Sequence, residues 1–145
     1  MTSDQPTADT TDMGWALDAL VESQPRIIHA VLFSSDGLLL AKSDGLGRAD
    51  AEKAAAALSG VNSLQKELRP FCGRSTSEAL PVRHVIGDLK GVTVLSFTAT
   101  ARTGVAVSVE GESMGPDAAL AITETMTMIK KLKPVLDARE RSTGA

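Results

Sequence analysis

The chain has 145 residues, of which 43% are hydrophobic, so it is long enough to bury the core of one domain. Its 15 Lys and Arg residues are outnumbered by 18 Asp and Glu residues, and a net charge of −3 does not give the positive field that nucleic acids require. Neither a secretion signal nor a run of about 20 apolar residues occurs, so we expect a cytoplasmic protein without membrane insertion.

The N-terminal part predicts a tail followed by a short helix. Residues 1–12 mix Thr, Ser, Asp and Pro without periodicity, so we expect them to form a disordered tail. The apolar residues that follow recur at helical spacing and end before Pro25, which restricts the residue that precedes it. They are Met13, Leu17, Leu20 and Val21.

Two short apolar runs, residues 27–33 and 38–41, flank the sequence SSDG at 34–37. This sequence has two interpretations, a tight turn or a reactive Ser-Asp pair. Glycine reaches positive φ without steric cost, and Ser and Asp oxygens hydrogen-bond the backbone of a turn. The pattern therefore favours a β-hairpin over a nucleophile.

A longer helix is predicted for residues 49–69. Alanine, which has the highest helix propensity, occupies positions 54–57, and Pro70 is expected to end the helix. The apolar stripe expected to face the core comprises Ala51, Ala54, Leu58, Val61 and Leu68. Three further residues widen the apolar surface: Ala57, Gly60 and Leu64. Two interpretations remain open, a single broad core face or a second surface at which another backbone approaches closely.

The second half of the chain predicts three strands and a last helix. Strands at 81–89, 92–98 and 104–109 follow one another through short connections, which is typical of an antiparallel meander. Pro81 has no backbone donor, so the first of these strands belongs at a sheet edge. A last helix is predicted from Pro116 until Pro134 kinks or ends it.

No combination of residues predicts catalysis, a metal site or a cofactor site. His29 and His84 lie in predicted strands without a Cys, Asp or Glu at ligand or triad spacing, and no phosphate-binding glycine loop occurs. Cys72 is the single cysteine, which excludes an internal disulfide and a multi-thiolate metal site. We therefore expect neither an enzyme nor a bound cofactor.

The C-terminal region is locally basic through Lys130, Lys131, Lys133, Arg139 and Arg141. These cations would attract an acidic partner or an anionic membrane. The simpler interpretation is that they oppose the dipole at the C-terminus of the last helix.

The order α-β-β-α-β-β-β-α and four segments resemble the Roadblock/LC7 family, in particular its small actinobacterial members encoded near Ras-like GTPases. The segments are WALDALVES before Pro25, HAVLFSSDGLLLAKSDGL over the hairpin, AEKAAAALSGVNSL, and MIKKLKPVL near the C-terminus. The sequence departs from the family at Gly47, where Asp or Ser often caps the second helix, and at Arg26-Ile27, where a Gly is common.

The resemblance covers residues 13–138, with residues 139–145 as a flexible tail. It implies an α+β, profilin-like fold in which helices flank a five-stranded antiparallel sheet. It also implies a homodimeric, non-enzymatic platform that binds and regulates a small Ras-like GTPase, as a scaffold or by stimulating GTP hydrolysis. Some relatives stimulate hydrolysis by repositioning the GTPase's own residues, so a missing arginine finger does not exclude that mode.

The family's dimer is implied to pair the second helix and the first strand of the meander across a two-fold axis. On these positions the candidate interface residues are Ala57, Gly60, Leu64, Val82, His84 and Ile86. A second hypothesis is a profilin-like or PAS-like sensor that holds a small ligand between sheet and helix. Aromatic residues make up only 3% of the chain, which weakens this alternative because such pockets usually have aromatic walls.

Overall fold

The computed structural model describes residues 10–113 and 115–143, which form an α+β domain. Its elements are α1 (Thr10–Ser23), β1 (Ile27–Ser34), β2 (Leu39–Lys42), α2 (Arg48–Gln65), a 3₁₀ turn (Lys66–Leu68), β3 (His84–Leu89), β4 (Val92–Thr98), β5 (Thr103–Glu110) and α3 (Pro116–Thr143). The strands form one antiparallel sheet in the order β2-β1-β5-β4-β3. The predicted order of elements and the five-stranded sheet are confirmed.

The sheet separates two apolar layers. On one face, α1 and α3 bury the larger core, which includes Leu17, Leu32, Leu95 and Leu136. On the other face, α2 packs over β1 and β2, where Ala51 and Ala55 lie against Val31 and Phe33. Because alternate residues of a strand point to opposite faces, β1 contributes Leu32 to the first layer and its neighbours Val31 and Phe33 to the second.

The segment SSDG forms the turn that the sequence predicts. The amide of Gly37 donates to the carbonyl of Ser34 at 3.0 Å, and the amide of Leu38 donates to the Ser34 hydroxyl at the same distance. Gly37 has a φ of 89°, a value that side chains with a Cβ rarely adopt. These bonds join β1 and β2, so the hairpin interpretation is confirmed.

The core stripe predicted for α2 is wrong in part. Ala51 is buried, but Ala54 and Leu58 are only partly buried, and Val61 and Leu68 are 40% and 44% exposed. The buried stripe is instead Ala51, Ala55 and Ser59. Small residues let α2 lie close to the sheet, and the Ser59 hydroxyl donates to the carbonyl of Ser35 at 2.8 Å, which satisfies a polar group in a core position.

The strand predicted from Pro81 begins at His84, three residues later. Pro81 has no N–H to give to a ladder. Before His84 the segment is held to β4 by two bonds from Thr98, one from its amide to the carbonyl of Arg83 at 2.9 Å and one from its hydroxyl to the carbonyl of Val82. The predicted edge position is confirmed, because β3 is the last strand in the sheet order.

Both terminal helices extend beyond their predicted limits. The predicted tail lies mostly outside the described residues, but residues 10–12 form the first turn of α1. Pro134, which was expected to kink or end the last helix, does not end it. Instead α3 continues through Pro134 to Thr143 and includes residues 139–143, which were expected to form a flexible tail. The reason is tertiary packing, because Leu136 is fully buried beyond the proline.

Gly104→Ala is expected to destabilise the domain by about 1–3 kcal/mol, because overpacking forces a core to shift. A Cβ at Gly104 would lie 2.5 Å from Cζ of Phe33, whose ring is buried. Urea denaturation should show a lower midpoint with an unchanged slope. Gly14→Ala in α1 is the matched control, since its Cβ would meet only ordinary contact at 3.7 Å. An unchanged midpoint for Gly104→Ala would contradict the close packing.

Candidate functional site

One side of α2 is apolar and open to solvent. We call it the α2 flank and define it as Ala57, Gly60, Val61, Leu64 and Leu68, the last of which lies in the 3₁₀ turn. All five residues are exposed, and the exposed fraction of Leu64 is 68%. Phe71, three residues after Leu68, is 87% exposed. Ordinary protein surfaces rarely expose a large contiguous apolar patch, so a patch of this kind indicates an interaction site.

The sequence identified three members of this surface, Ala57, Gly60 and Leu64, but assigned Val61 and Leu68 to the core. Apolar periodicity alone does not distinguish a buried helix face from an exposed one, since both recur at three to four residues. The available signal was the spacing of small residues at Ala51, Ala55 and Ser59, which suits a helix lying close to a sheet.

The edge strand β3 presents its two faces to different layers of the domain. His84 pairs with Phe97 and Ile86 pairs with Leu95, so these two side chains lie on the face covered by α1 and α3. The rings of His84 and Phe97 lie 5.9 Å apart at an angle of 37°. Both His84 and Ile86 are nevertheless exposed, because they stand at the border of the sheet.

The six candidate interface residues therefore do not share one face. Ala57, Gly60 and Leu64 lie on α2, while His84 and Ile86 point to the opposite side of the sheet. Val82 is partly buried and lines a cleft with Asn62 of α2 and Lys66 of the 3₁₀ turn. The two elements are nevertheless neighbours in the fold. The free backbone edge of β3 borders the half of the sheet that α2 does not cover.

Two residues of β3 face the same side as α2 and were not identified from the sequence. They are Val85 and Gly87, which pair with Ser96 and Val94 and are partly buried. Alternate residues of a strand face opposite sides of the sheet, so Val85 and Gly87 could have been assigned to the α2 side if the side covered by the larger core had been known. That face becomes clear only from the packing of Leu95 and Phe97 into the larger core.

An apolar cleft of about 300 Å³ separates α2 from the uncovered part of the sheet. Ala54, Ala57 and Leu58 form its helical wall, and Val94 and Ala106 form part of its floor. The cleft exists because α2 lies over β1 and β2 and leaves β4 and β3 without a helix on this face. This geometry leaves room for an additional element beside α2.

Metal-ligating side chains do not cluster in the described residues. Among residues 10–113 and 115–143, no three His, Cys, Asp or Glu side chains stand close enough to hold a metal ion. His29 lines the cleft, and its backbone amide donates to the Ser108 hydroxyl at 3.2 Å. Its Nδ1 atom is buried near Gly45 and makes no hydrogen bond.

In the described part of the chain, none of the helices has the length and apolar content that a membrane span requires. The candidate site consists of exposed apolar groups and an open strand edge. Its two components are the α2 flank and the free edge of β3, with the apolar cleft beside them.

Comparison with known proteins agrees with this architecture. The family model for the Roadblock/LC7 domain matches residues 13–84. A Roadblock/LC7 domain from Streptomyces avermitilis is 30% identical, with a TM-score of 0.72, and the match covers 85% of this chain and 96% of that chain. No protein in the curated comparison matches the sequence.

Two more distant structures are similar in fold alone. MglB from Myxococcus xanthus is 12% identical with a TM-score of 0.71, and the match covers 88% of this chain and 97% of that chain. Profilin II from Acanthamoeba castellanii is 18% identical with a TM-score of 0.54, covering 81% of this chain and 94% of the profilin. The profilin-like character expected of the fold is thus confirmed.

Proposed function

The chain belongs to the Roadblock/LC7 domain family, and we propose that it acts in the cytoplasm as a homodimeric, non-enzymatic platform that binds and regulates a small Ras-like GTPase. The observation that carries the proposal is the position of the exposed α2 flank beside an open cleft and a free edge strand. The GTPase part rests on the family resemblance.

The free edge of β3 supports the homodimer. An edge strand presents unpaired N–H and C=O groups, which proteins usually protect with charged residues, with proline or with a partner strand. Within β3 only Asp88 carries a formal charge, and Ile86 and Leu89 are 48% and 56% exposed. Pairing of two β3 strands across a two-fold axis would satisfy these backbone groups with an isologous interface.

The α2 flank supports the same axis. In such a dimer, the helix of the partner would approach the half of the sheet that α2 leaves uncovered, where the cleft of about 300 Å³ lies. Ala57 and Gly60 carry little or no side chain, so two helices would pack at short distance. Val61, Leu64 and Leu68 would then lose their exposure to water, which is the driving force for association.

The cleft supports a second candidate function, a sensor that binds a small ligand. A small ligand would occupy the space between α2 and the sheet, with His29 and Ser108 as its polar contacts. The lining contains no Phe or Trp. A partner chain accounts for the exposed residues outside the cleft as well, which a small ligand does not.

Affinity capture tests the GTPase part. The immobilised chain is mixed with a lysate of the source cells containing either GDP or a non-hydrolysable GTP analogue. We expect a small Ras-like GTPase to be retained in one nucleotide state only, because nucleotide exchange reorders the switch segments of such proteins. As a control, calorimetric titration of the chain alone with GTP and magnesium should show no binding. Binding by the chain itself, or no GTPase in either state, would contradict the proposal.

A further inference from the structure

The ladder between β3 and β4 uses the backbone groups of every second residue of β3. In an antiparallel ladder, residue pairs that exchange hydrogen bonds alternate with pairs that do not. The amide of Thr98 donates to the carbonyl of Arg83 at 2.9 Å, and these two residues lie directly opposite each other in the register of the two strands. The bonded positions of β3 therefore continue at Val85, Gly87 and Leu89.

The backbone groups that point to the free edge belong to His84, Ile86 and Asp88. The ladder on the other side of β4 agrees with this assignment. There the amide of Ala99 donates to the carbonyl of Thr103 at 2.9 Å, so odd-numbered residues of β4 bond β5 and even-numbered ones bond β3. The three outward residues are exposed, and their side chains share one face of the sheet because they alternate along the strand.

A second copy of β3 can pair with this edge in few registers. Directly opposed residues of an antiparallel pair point to the same face of the sheet. A strand that pairs with its own copy across a two-fold axis is therefore centred on one residue that lies opposite itself. In the middle of β3 the possible centres are Val85, Ile86 and Gly87.

The register centred on Ile86 uses all three outward residues. It places Ile86 opposite its own copy, and it places His84 opposite Asp88 of the second copy at both ends of the pair. A carboxylate accepts hydrogen bonds and an imidazole N–H donates them, and such cross-strand pairs stabilise a sheet. Within the described part of the chain, neither of these two side chains forms an ion pair.

The two neighbouring registers leave one outward residue without a strand position to face. A centre at Val85 places the acid opposite Val82, which precedes the strand and whose carbonyl already accepts from the hydroxyl of Thr98. A centre at Gly87 places the histidine opposite Lys90, which lies in the turn after the strand. Both registers also separate the histidine from the acid of the second copy.

We propose that β3 pairs with a second copy of this chain in the register centred on Ile86, and that the two contacts between His84 and Asp88 select this register. The inference rests on the homodimer proposed above and specifies its strand contact. The occupant of the edge is a second copy because the pattern is complementary to itself. The histidine lies two residues before Ile86, and the acid lies two residues after it.

Single cysteines report the register directly. In a Cys72→Ser background, which removes the chain's single cysteine, Ile86→Cys should form an intermolecular disulfide under mild oxidation. Hydrogen-bonded residues of an antiparallel pair lie about 5.5 Å apart between Cα atoms, a distance that a disulfide spans. Val85→Cys and Gly87→Cys are the matched controls and should crosslink little, since each would lie about 7–8 Å from its own copy. A non-reducing gel separates the crosslinked product from the single chain.

A charge exchange tests the contact that selects the register. His84→Glu should raise the dissociation constant of the dimer roughly tenfold, because it places like charges opposite each other at both ends of the pair. Adding Asp88→Lys should restore the wild-type constant, because opposite charges then face each other. His84→Gln is the control and should leave the constant nearly unchanged, since an amide still donates to a carboxylate. Sedimentation equilibrium measures all four chains.

The outcomes separate the register from the homodimer itself. A wild-type chain that is monomeric at tens of micromolar would overturn both. A dimer that crosslinks best through Val85→Cys or Gly87→Cys, through all three positions equally, or through none would overturn the register and leave the homodimer in place. If the double variant does not regain the affinity that His84→Glu loses, the contact with Asp88 does not select the register.

Discussion

Gly60→Arg is expected to convert the proposed dimer into a monomer with an intact fold, and to abolish GTPase capture. Gly60 lies on the α2 flank, and a Cβ added there would meet no atom within 4 Å. The isolated protomer therefore has room for a long side chain. In a dimer whose α2 helices pack closely, the same arginine would occupy the space of the partner and bury a charge without a partner.

The substitution also has a separate effect on the helix itself. Gly is less favourable than Arg in an exposed helix interior by somewhat under 1 kcal/mol, so the variant protomer should not lose helix content. A drop in mass together with an unchanged far-UV circular dichroism spectrum would thus show loss of association rather than loss of folding. These two measurements distinguish a broken interface from a misfolded chain.

Light scattering after size exclusion gives the mass directly. The wild type should elute at about twice 15.1 kDa, and Gly60→Arg should elute at the mass of one chain. Ser63→Arg is the control, since Ser63 is also exposed on α2 but is not part of the flank. A wild-type monomer at tens of micromolar, or a variant that stays dimeric, would refute the interface and favour the ligand-sensor alternative.

Features set by local chemistry were predictable from the sequence. The turn at Ser34–Gly37 follows from residues that bond their own backbone, and β4 has the limits that its apolar run predicts, Val92–Thr98. The edge position of β3 follows from Pro81 before it. In each case a few neighbouring residues suffice, because the structure depends on turn geometry or on backbone donors rather than on distant contacts.

Features set by packing were not predictable in the same way. Val61 and Leu68 fit a core stripe by spacing, but the sheet lies against Ala51, Ala55 and Ser59 instead. His84 and Ile86 belong to an edge strand, but only the pairing with Phe97 and Leu95 shows which face they occupy. The candidate site combines α2 and β3 across a cleft, so its composition depends on these orientations.

The end of α3 is the clearest case in which packing prevails over local preference. Proline inside a helix removes one hydrogen bond and crowds the preceding turn, which costs about 3 kcal/mol when nothing compensates. Here α3 runs through Pro134 to Thr143. Leu136 is buried in the larger core, and the hydroxyl of Thr100 donates to the carboxylate of Glu140 near the end of the helix. These contacts hold the residues after the proline in the domain.

Leu136→Ala should therefore destabilise the domain by about 2–5 kcal/mol, the range for removing a buried leucine and leaving a cavity. If Pro134 ended the helix, Leu136 would lie in a tail, and the change would stay within about 0.5 kcal/mol. Urea denaturation distinguishes the two outcomes. Met126→Ala, at a site 51% exposed on the same helix, is the matched control and should stay within that smaller range. Equal midpoints for the two variants would show that the last two turns of α3 do not contribute to the core.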